Sequence, residues 1–412
     1  MNWRRTALLG SALLLCASMG ASAAQIVRVK GKVGEPARLV AVDNLVFVSG
    51  AVGSKGDAVA QVEEVIRKTN EALATRGLDI GDMLQHTIYI KDGVSPMTVL
   101  QHFHGTATRL APSLKQFKSV GTIVRLPEFP DKDSLVMLDI VAGAPKAKGD
   151  RAEFKRVPFT YGPPEISESL EIKPFVFTAG TEAMDFQHGT LRPTIEEQVD
   201  DIVGKLESGL KRAGLGVGDM ISHNLYVRKG TDPDKVIELF HAATHKLAPQ
   251  LKQDPSVGTL VIVDGMAADG FLLEMDAVAV PGATPVKRVP YAHPGEIARS
   301  VAVGDLVLLS GMEAMDGDKP FPADGEAQAV IAARKINDTL QASGLNIGSM
   351  VKYKIYIKKG QDIARVRRSF LDEAARLSPS LKNNPAAETL AIVEGLADPR
   401  LQVEVSAIAA RK

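Results

Sequence analysis

Cysteine is nearly absent from this chain: Cys16 is the only one in 412 residues, and it lies in the apolar run that opens the sequence. Once that segment is removed, no thiol remains for a disulfide, a nucleophile or a metal ligand. Aromatics are scarce at 5%, with a single tryptophan. Neither sign of charge is in excess, since Lys plus Arg and Asp plus Glu both total 49. That balance leaves no basic footprint for nucleic acid or for an anionic membrane surface. Long apolar runs are missing too, because Ala7 to Cys16 is too short to span a bilayer comfortably.

What is present is a globular composition, 45% hydrophobic and 24% charged, on a chain long enough for two to four domains. The N-terminus reads as a separate segment. Arg4 and Arg5 precede the apolar run, and Ala21-Ser22-Ala23 and Ser22-Ala23-Ala24 both present small residues where a signal peptidase cuts. Leu15 before Cys16 is not the small residue that a lipoprotein signal requires. The expectation is a cleaved leader over residues 1–24, a periplasmic destination and no membrane attachment afterwards.

The rest of the chain repeats itself. Three strands end in Phe47-Val48-Ser49-Gly50, Phe177-Thr178-Ala179-Gly180 and Leu308-Leu309-Ser310-Gly311. Thr87-Ile88-Tyr89-Ile90 recurs as Asn224-Leu225-Tyr226-Val227 and Lys354-Ile355-Tyr356-Ile357. From that tyrosine to Pro112, Pro249 or Pro379 is 23 residues in every copy, and from the proline to Thr122, Thr259 or Thr389 is ten. Order and spacing together define three units of about 130 residues, 25–148, 149–281 and 282–412.

Within a unit the pattern predicts strand, strand, helix, strand, helix, strand, strand. Val62, Val65, Ile66, Thr69 and Leu73 fall at helical spacing, with Asp57 placed to cap them and Gly77 to end the helix. A second helix is predicted from about Met97 to Leu110, and strands over Thr122–Arg125 and Leu135–Val141. Stretches near Ala142–Arg156 and Pro281–Val289, rich in Gly, Pro, Ala and Lys, read as linkers.

These motifs, in this order, resemble the RidA (YjgF) family: Val48-Ser49-Gly50, the helix, Gly77-Leu78 followed by Gly81-Asp82, Thr87–Ile90, a second helix, Thr122 to Pro127, and Leu138 to Ala142. The resemblance implies an α+β, chorismate-mutase-like domain that ordinarily forms homotrimers with ligand clefts between subunits. Three fused copies then imply an intrachain pseudo-trimer, its domains packed on each other at high effective concentration.

The family's usual activity is hydrolysis of imines or enamines. An arginine clamps the substrate carboxylate, and an acid near the chain end positions or activates water. By the resemblance, the arginine position falls on Lys118, Pro255 and Pro385, and the acid on Asp139, Asp276 and Ser406. Proline cannot replace the two-toothed guanidinium, and lysine does so only as a point charge. Lys118 with Asp139 in the first copy is therefore the expected remnant of a site, with Asp276 as a further acid and Ser49, Gly50, Ser310 and Gly311 lining clefts. The reading is a small-molecule or partner-binding protein in the periplasm. Its alternative is a divergent deaminase-type hydrolase with one surviving cleft, supported by the carboxylates Asp276 and Glu388. A third, purely structural reading has Ile166, Ile297 and Pro255 plugging old sites. No cofactor, metal or nucleic-acid partner is expected. His241 and His245, four apart, lack an evident third ligand.

Overall fold

The computed structural model describes residues 24–411 except position 33, residues 145–152, position 161, residues 292–296 and residues 316–319. Residues 1–23, where a leader with Cys16 is expected, and most of the stretch between the first two repeats lie outside the described residues. Among the described residues no helix is long and apolar enough to cross a membrane.

Each repeat builds the same α+β unit. In the first, strands Ile26–Lys30, Ala37–Val42 and Leu45–Val48 precede helix α1 (Ala58–Ala74). Strand Met83–Lys91, helix α2 (Pro96–Leu110), and strands Val120–Leu126 and Val136–Gly143 follow. The last strand inserts between Leu45–Val48 and Met83–Lys91, and Val120–Leu126 pairs in parallel at the far side. The second repeat places α3 (Ile195–Arg212) and α4 (Pro233–Leu247) on strands Met220–Arg228, Val257–Val263 and Leu273–Ala279. The third places α5 (Gly325–Gln341) and α6 (Ile363–Leu377) on Met350–Lys358, Ala387–Val393 and Val403–Ala410.

Local chemistry accounts for these elements. Asp57 caps α1 by accepting from Ala60 N at 2.9 Å, and Val62, Val65, Ile66, Thr69 and Leu73 form its buried face. Fully burying a Val, Ile or Leu there contributes ~1.5–3 kcal/mol each. Gly77 ends the turn after α1 at φ 71°, a left-handed conformation that favours glycine. The strand carrying Tyr89 is buried on both faces, so its sequence shows no regular alternation of apolar and polar residues.

One element differs from the sequence reading: each repeat opens with an extra strand. In the later repeats it is Lys155–Pro158 and Val286–Pro290, overlapping the ends of the stretches that read as linkers. These edge strands are largely exposed, so they carry no apolar periodicity to announce them.

The repeats join in a ring. Ala37 N donates to Ala386 O at 3.0 Å, Ser167 N to Ser119 O at 2.9 Å, and Ala298 N to Ser256 O at 2.9 Å. The first repeat thus sits on the third, the second on the first and the third on the second. Each repeat keeps its own core between helices and sheet. Two further apolar clusters draw on all three repeats, one holding Phe47, Phe177 and Leu308, the other Tyr89, Tyr226 and Tyr356.

Candidate functional site

Because side chains alternate along a strand, each repeat sends one set of residues toward the middle of the ring and another toward its neighbour. At the middle, Gln85, Ser222 and Lys352 and then Thr87, Asn224 and Lys354 meet Asp139 and Ser406 around a cavity of about 120 Å³, and Asn224 in turn bonds the buried Asp276. Asp139 accepts from Lys352 Nζ at 2.6 Å and from Thr389 Oγ1 at 2.9 Å, and pairs with Lys354 Nζ at 2.9 Å. Burial pushes the Asp139 carboxyl up, and the two ammonium groups more than reverse this, holding it well below the usual carboxylate range. Asp276 instead accepts from Asn224 Nδ2 at 2.7 Å and bonds Thr122, and burial raises it.

The large cavity, about 1330 Å³, lies between the first two repeats. The first contributes His86, His104, Thr122 and Met97; the second contributes Glu182, Glu274, Phe186 and Phe271. Glu274 projects from the strand Leu273–Ala279 and is 1% exposed. Ile123 N donates to its carboxyl, but Oε2 has no partner. Burial, then Glu182 and then Asp276, raise Glu274 well above the ordinary glutamate value. Glu182 is itself pushed up to about 7 by burial, against the pull of Lys205. Both carboxyls are therefore biased toward the protonated form, in which a carboxyl can donate as well as accept. Gly180 makes this possible, since a Cβ there would fall 1.9 Å from Glu274 Oε1.

Across the cleft His86 is buried, with Nδ1 3.0 Å from Ser119 Oγ. Burial, then His104, lower it to about 3, so it is a neutral imidazole. Arg192 and Arg212 also line this cavity. Arg212 Nε donates to Glu168 Oε2 at 2.9 Å, and Arg192 lies 3.6 Å from Asp201.

The structure does not bring Lys118 and Asp139 together. Lys118 is half-buried, donates to Pro164 O and lines an outer cavity that shares only His104 and Glu165 with the large cleft. Asp139 lines the central cavity, and Asp276 is buried against Asn224, one of the residues that line it. The reason is register: they lie two residues along the strand from the positions that reach the clefts, Met137, Glu274 and Glu404. Ser49 and Ser310 hold interfaces, Ser49 Oγ accepting from Glu388 N at 2.8 Å and Ser310 Oγ from Gly258 N at 3.0 Å. Gly50 and Gly311 are spacers: a Cβ would sit 3.1 Å from Met137 Sδ in one case and 1.6 Å from Glu404 Oε1 in the other. Glu388 is taken up by Arg367 at 2.9 Å and by the Tyr353 hydroxyl. Ile166 forms one wall of the large cleft without filling it. Ile297 packs near Gly258. His241 and His245 sit 5.5 Å apart, ring to ring, on α4.

Sequence reasoning missed the carboxyl pair. Its signal was there: Glu-Ala-Met-Asp occurs at 182–185 and again at 313–316, and Glu274 and Glu404 hold equivalent places on the last strands.

Fold and site together define a class: fused α+β repeats closed in a ring, with carboxyl-bearing clefts between neighbours. The Endoribonuclease L-PSP family matches residues 164–281 and 291–411, more than half of the chain. The protein belongs to that family, the RidA (YjgF) family, and the matched segments are its second and third repeats. The first repeat has the same topology. An uncharacterized protein of Streptomyces coelicolor is 28% identical over 131 residues, 31% of this chain and 92% of its own length. Among solved structures, a YjgF/YER057c/UK114 family member from Mycobacterium tuberculosis is 26% identical at TM-score 0.25, covering 31% of this chain and 99% of its own. A chorismatase is 15% identical at TM-score 0.49, covering 80% of this chain and 93% of its own.

Proposed function

We propose that this is an exported small-molecule-binding protein, a one-chain pseudo-trimer whose ligand occupies the cleft between the first and second repeats. The observation that carries the reading is the pair Glu182 and Glu274, with the unpartnered buried oxygen Glu274 Oε2 at the wall of a cavity of about 1330 Å³. A buried polar atom without a partner is costly, and a ligand that bonds it removes that cost on binding. The walls supply Phe159, Phe186, Phe271 and Leu100 for an apolar body. A small metabolite with one polar head and an apolar remainder fits this lining. RNA fits it less well, because the overall charge is balanced and the cations at the wall, Arg192, Lys205 and Arg212, are already engaged by Asp201 and Glu168.

A second reading is favoured by the same pair. A protonated carboxyl beside a partly ionised one is the equipment of a general acid and base, which would suit hydrolysis of a small imine, enamine or carbonyl compound. A metabolite screen read by thermal shift tests the first reading, since a ligand that binds only the folded state raises the melting temperature. A hit that persists unchanged in Glu274→Gln refutes the assignment of the cleft. Turnover of an imine generated in situ, lost in Glu274→Gln, establishes the second reading.

A further inference from the structure

We propose that the cavity at the middle of the ring is a binding site for one small monovalent anion, of about chloride size, held by the Lys354 ammonium. This cavity shares no lining residue with the large cleft, and the proposal stands whether or not that cleft takes a ligand. Strand alternation brings three layers to the axis: Gln85, Ser222 and Lys352, then Thr87, Asn224 and Lys354, then Tyr89, Tyr226 and Tyr356. The first two layers line the cavity of about 120 Å³, which has room for an ion with a few waters.

The two lysines differ in what they leave unused. Lys352 Nζ commits all three hydrogens, to Val48 O at 2.6 Å, Asp139 Oδ1 at 2.6 Å and Thr389 Oγ1 at 2.7 Å. Lys354 Nζ has one partner among the described residues, Asp139 Oδ2 at 2.9 Å, which leaves two hydrogens for the cavity. Its side chain is 22% exposed although Lys352 and Tyr356, on either side of it along the strand, are buried. The tyrosines take neither hydrogen, because their hydroxyls have no partner outside their own trio. Burial lowers Lys354, but Asp139 more than offsets this and holds it well above the ordinary lysine value. Burial lowers Lys352 too, yet its three acceptors require a full ammonium.

Two positive charges thus face the single negative charge of Asp139. Of the nearby carboxyls, Asp276 is raised by burial and Glu388 is taken up by Arg367. The facing strands add only amides and hydroxyls to the lining, from Gln85, Thr87, Ser222 and Asn224. A buried ammonium without acceptors is costly, and an anion in its open directions removes that cost through charge-assisted bonds. Water fills the same directions without balancing the charge. A divalent anion would bury a second charge that no cation meets, so sulfate is excluded.

The test uses the full mature chain, crystallised in sodium gluconate, whose anion is too large for the cavity, and then transferred to sodium bromide. Bromide scatters anomalously, so its position is read directly. One anomalous peak is expected in the axial cavity, within hydrogen-bond distance of Lys354 Nζ. In solution, urea midpoints at constant ionic strength should rise along a saturating curve with chloride or bromide, and not with sulfate. Lys354→Met should weaken the apparent affinity by on the order of tenfold or more, the worth of one charge-assisted bond. Thr87→Val, which leaves the ion pairs intact, should weaken it by about threefold. Circular dichroism checks that both variants are folded. Water alone in the cavity, bromide bound only elsewhere, or a saturating response unchanged in folded Lys354→Met would overturn the proposal. The wild-type crystal needs no variant, so it decides even where Lys354→Met does not fold.

Discussion

Asp139→Asn should destabilise the protein far more than the matching Asp276→Asn. Asp139 bridges the first repeat to the third through Lys352 at 2.6 Å and Lys354 at 2.9 Å. The side chains of Asp139 and Lys352 are 6% and 5% exposed, while that of Lys354 is 22% exposed and can reach water. Removing one partner of a buried pair costs ~3–5 kcal/mol because the other charge is stranded. Here Lys352 Nζ keeps Val48 O at 2.6 Å and Thr389 Oγ1 at 2.7 Å, which places the loss near the lower end, about 3 kcal/mol. At Asp276 the partners are Asn224 and Thr122, so no cation is stranded and the loss should stay below about 1 kcal/mol. Urea unfolding, followed by both circular dichroism and tyrosine fluorescence, measures both variants. Lys352→Met added to Asp139→Asn should recover most of the loss. Equal losses at the two aspartates, or no recovery, would refute the argument that this network holds the ring shut.

The carboxyl pairs set one limb of the pH profile. Glu182 and Glu313 are pushed up to about 7, so the folded state holds protons that the unfolded chain releases near 4.5. Stability should therefore fall as pH rises from about 4.5 to about 7, by on the order of 2 kcal/mol per residue given their partial exposure. Glutamine at both positions should flatten that slope in urea midpoints measured across pH 4–8. His86 and His223 act oppositely: both are held to about 3, so stability falls as pH drops below 6.5, where the unfolded imidazoles take protons. Glutamine at both histidines should weaken that acid-side loss. Lys118→Ala should change stability by under about 0.5 kcal/mol, since its one bond runs from an exposed ammonium to Pro164 O. It should leave affinity for any hit from the metabolite screen within about twofold, and a tenfold loss would return Lys118 to the site.

The fold was legible where the sequence repeats a physical constraint. Gly77, Gly214 and Gly344 all adopt positive φ after a helix, so the same residue type recurs at the same spacing. Asp57, Thr194 and Asp324 cap the first helix of each unit. The site was less legible because strand residues two apart face the same way, and depth along the strand decides whether they meet the axis or a cleft. Asp276 and Glu274 differ only in that depth. The linkage of Asp139 to Lys352 and Lys354 was invisible for another reason, since it joins residues 213 positions apart through ring closure. No local pattern encodes a contact that depends on the third repeat folding back onto the first.

That closure explains why the three interfaces diverged as they did. The chain itself tethers the first repeat to the second and the second to the third, which keeps their effective concentration high without further contacts. The third interface joins the two ends of the ring and has no such direct tether. It is the one where Lys352 and Lys354 meet Asp139. At the equivalent positions the tethered interfaces set Gln85 and Thr87 against Asp276, and Ser222 and Asn224 against Ser406, with no lysine in either set. A homotrimer could not make this division, because any lysine at the axis would appear three times and repel itself. Fusion lets one interface become a clasp while the other two keep their glutamates, and a carboxyl pair that disfavours its own ionised state is easier to hold where covalent linkage already supplies the cohesion.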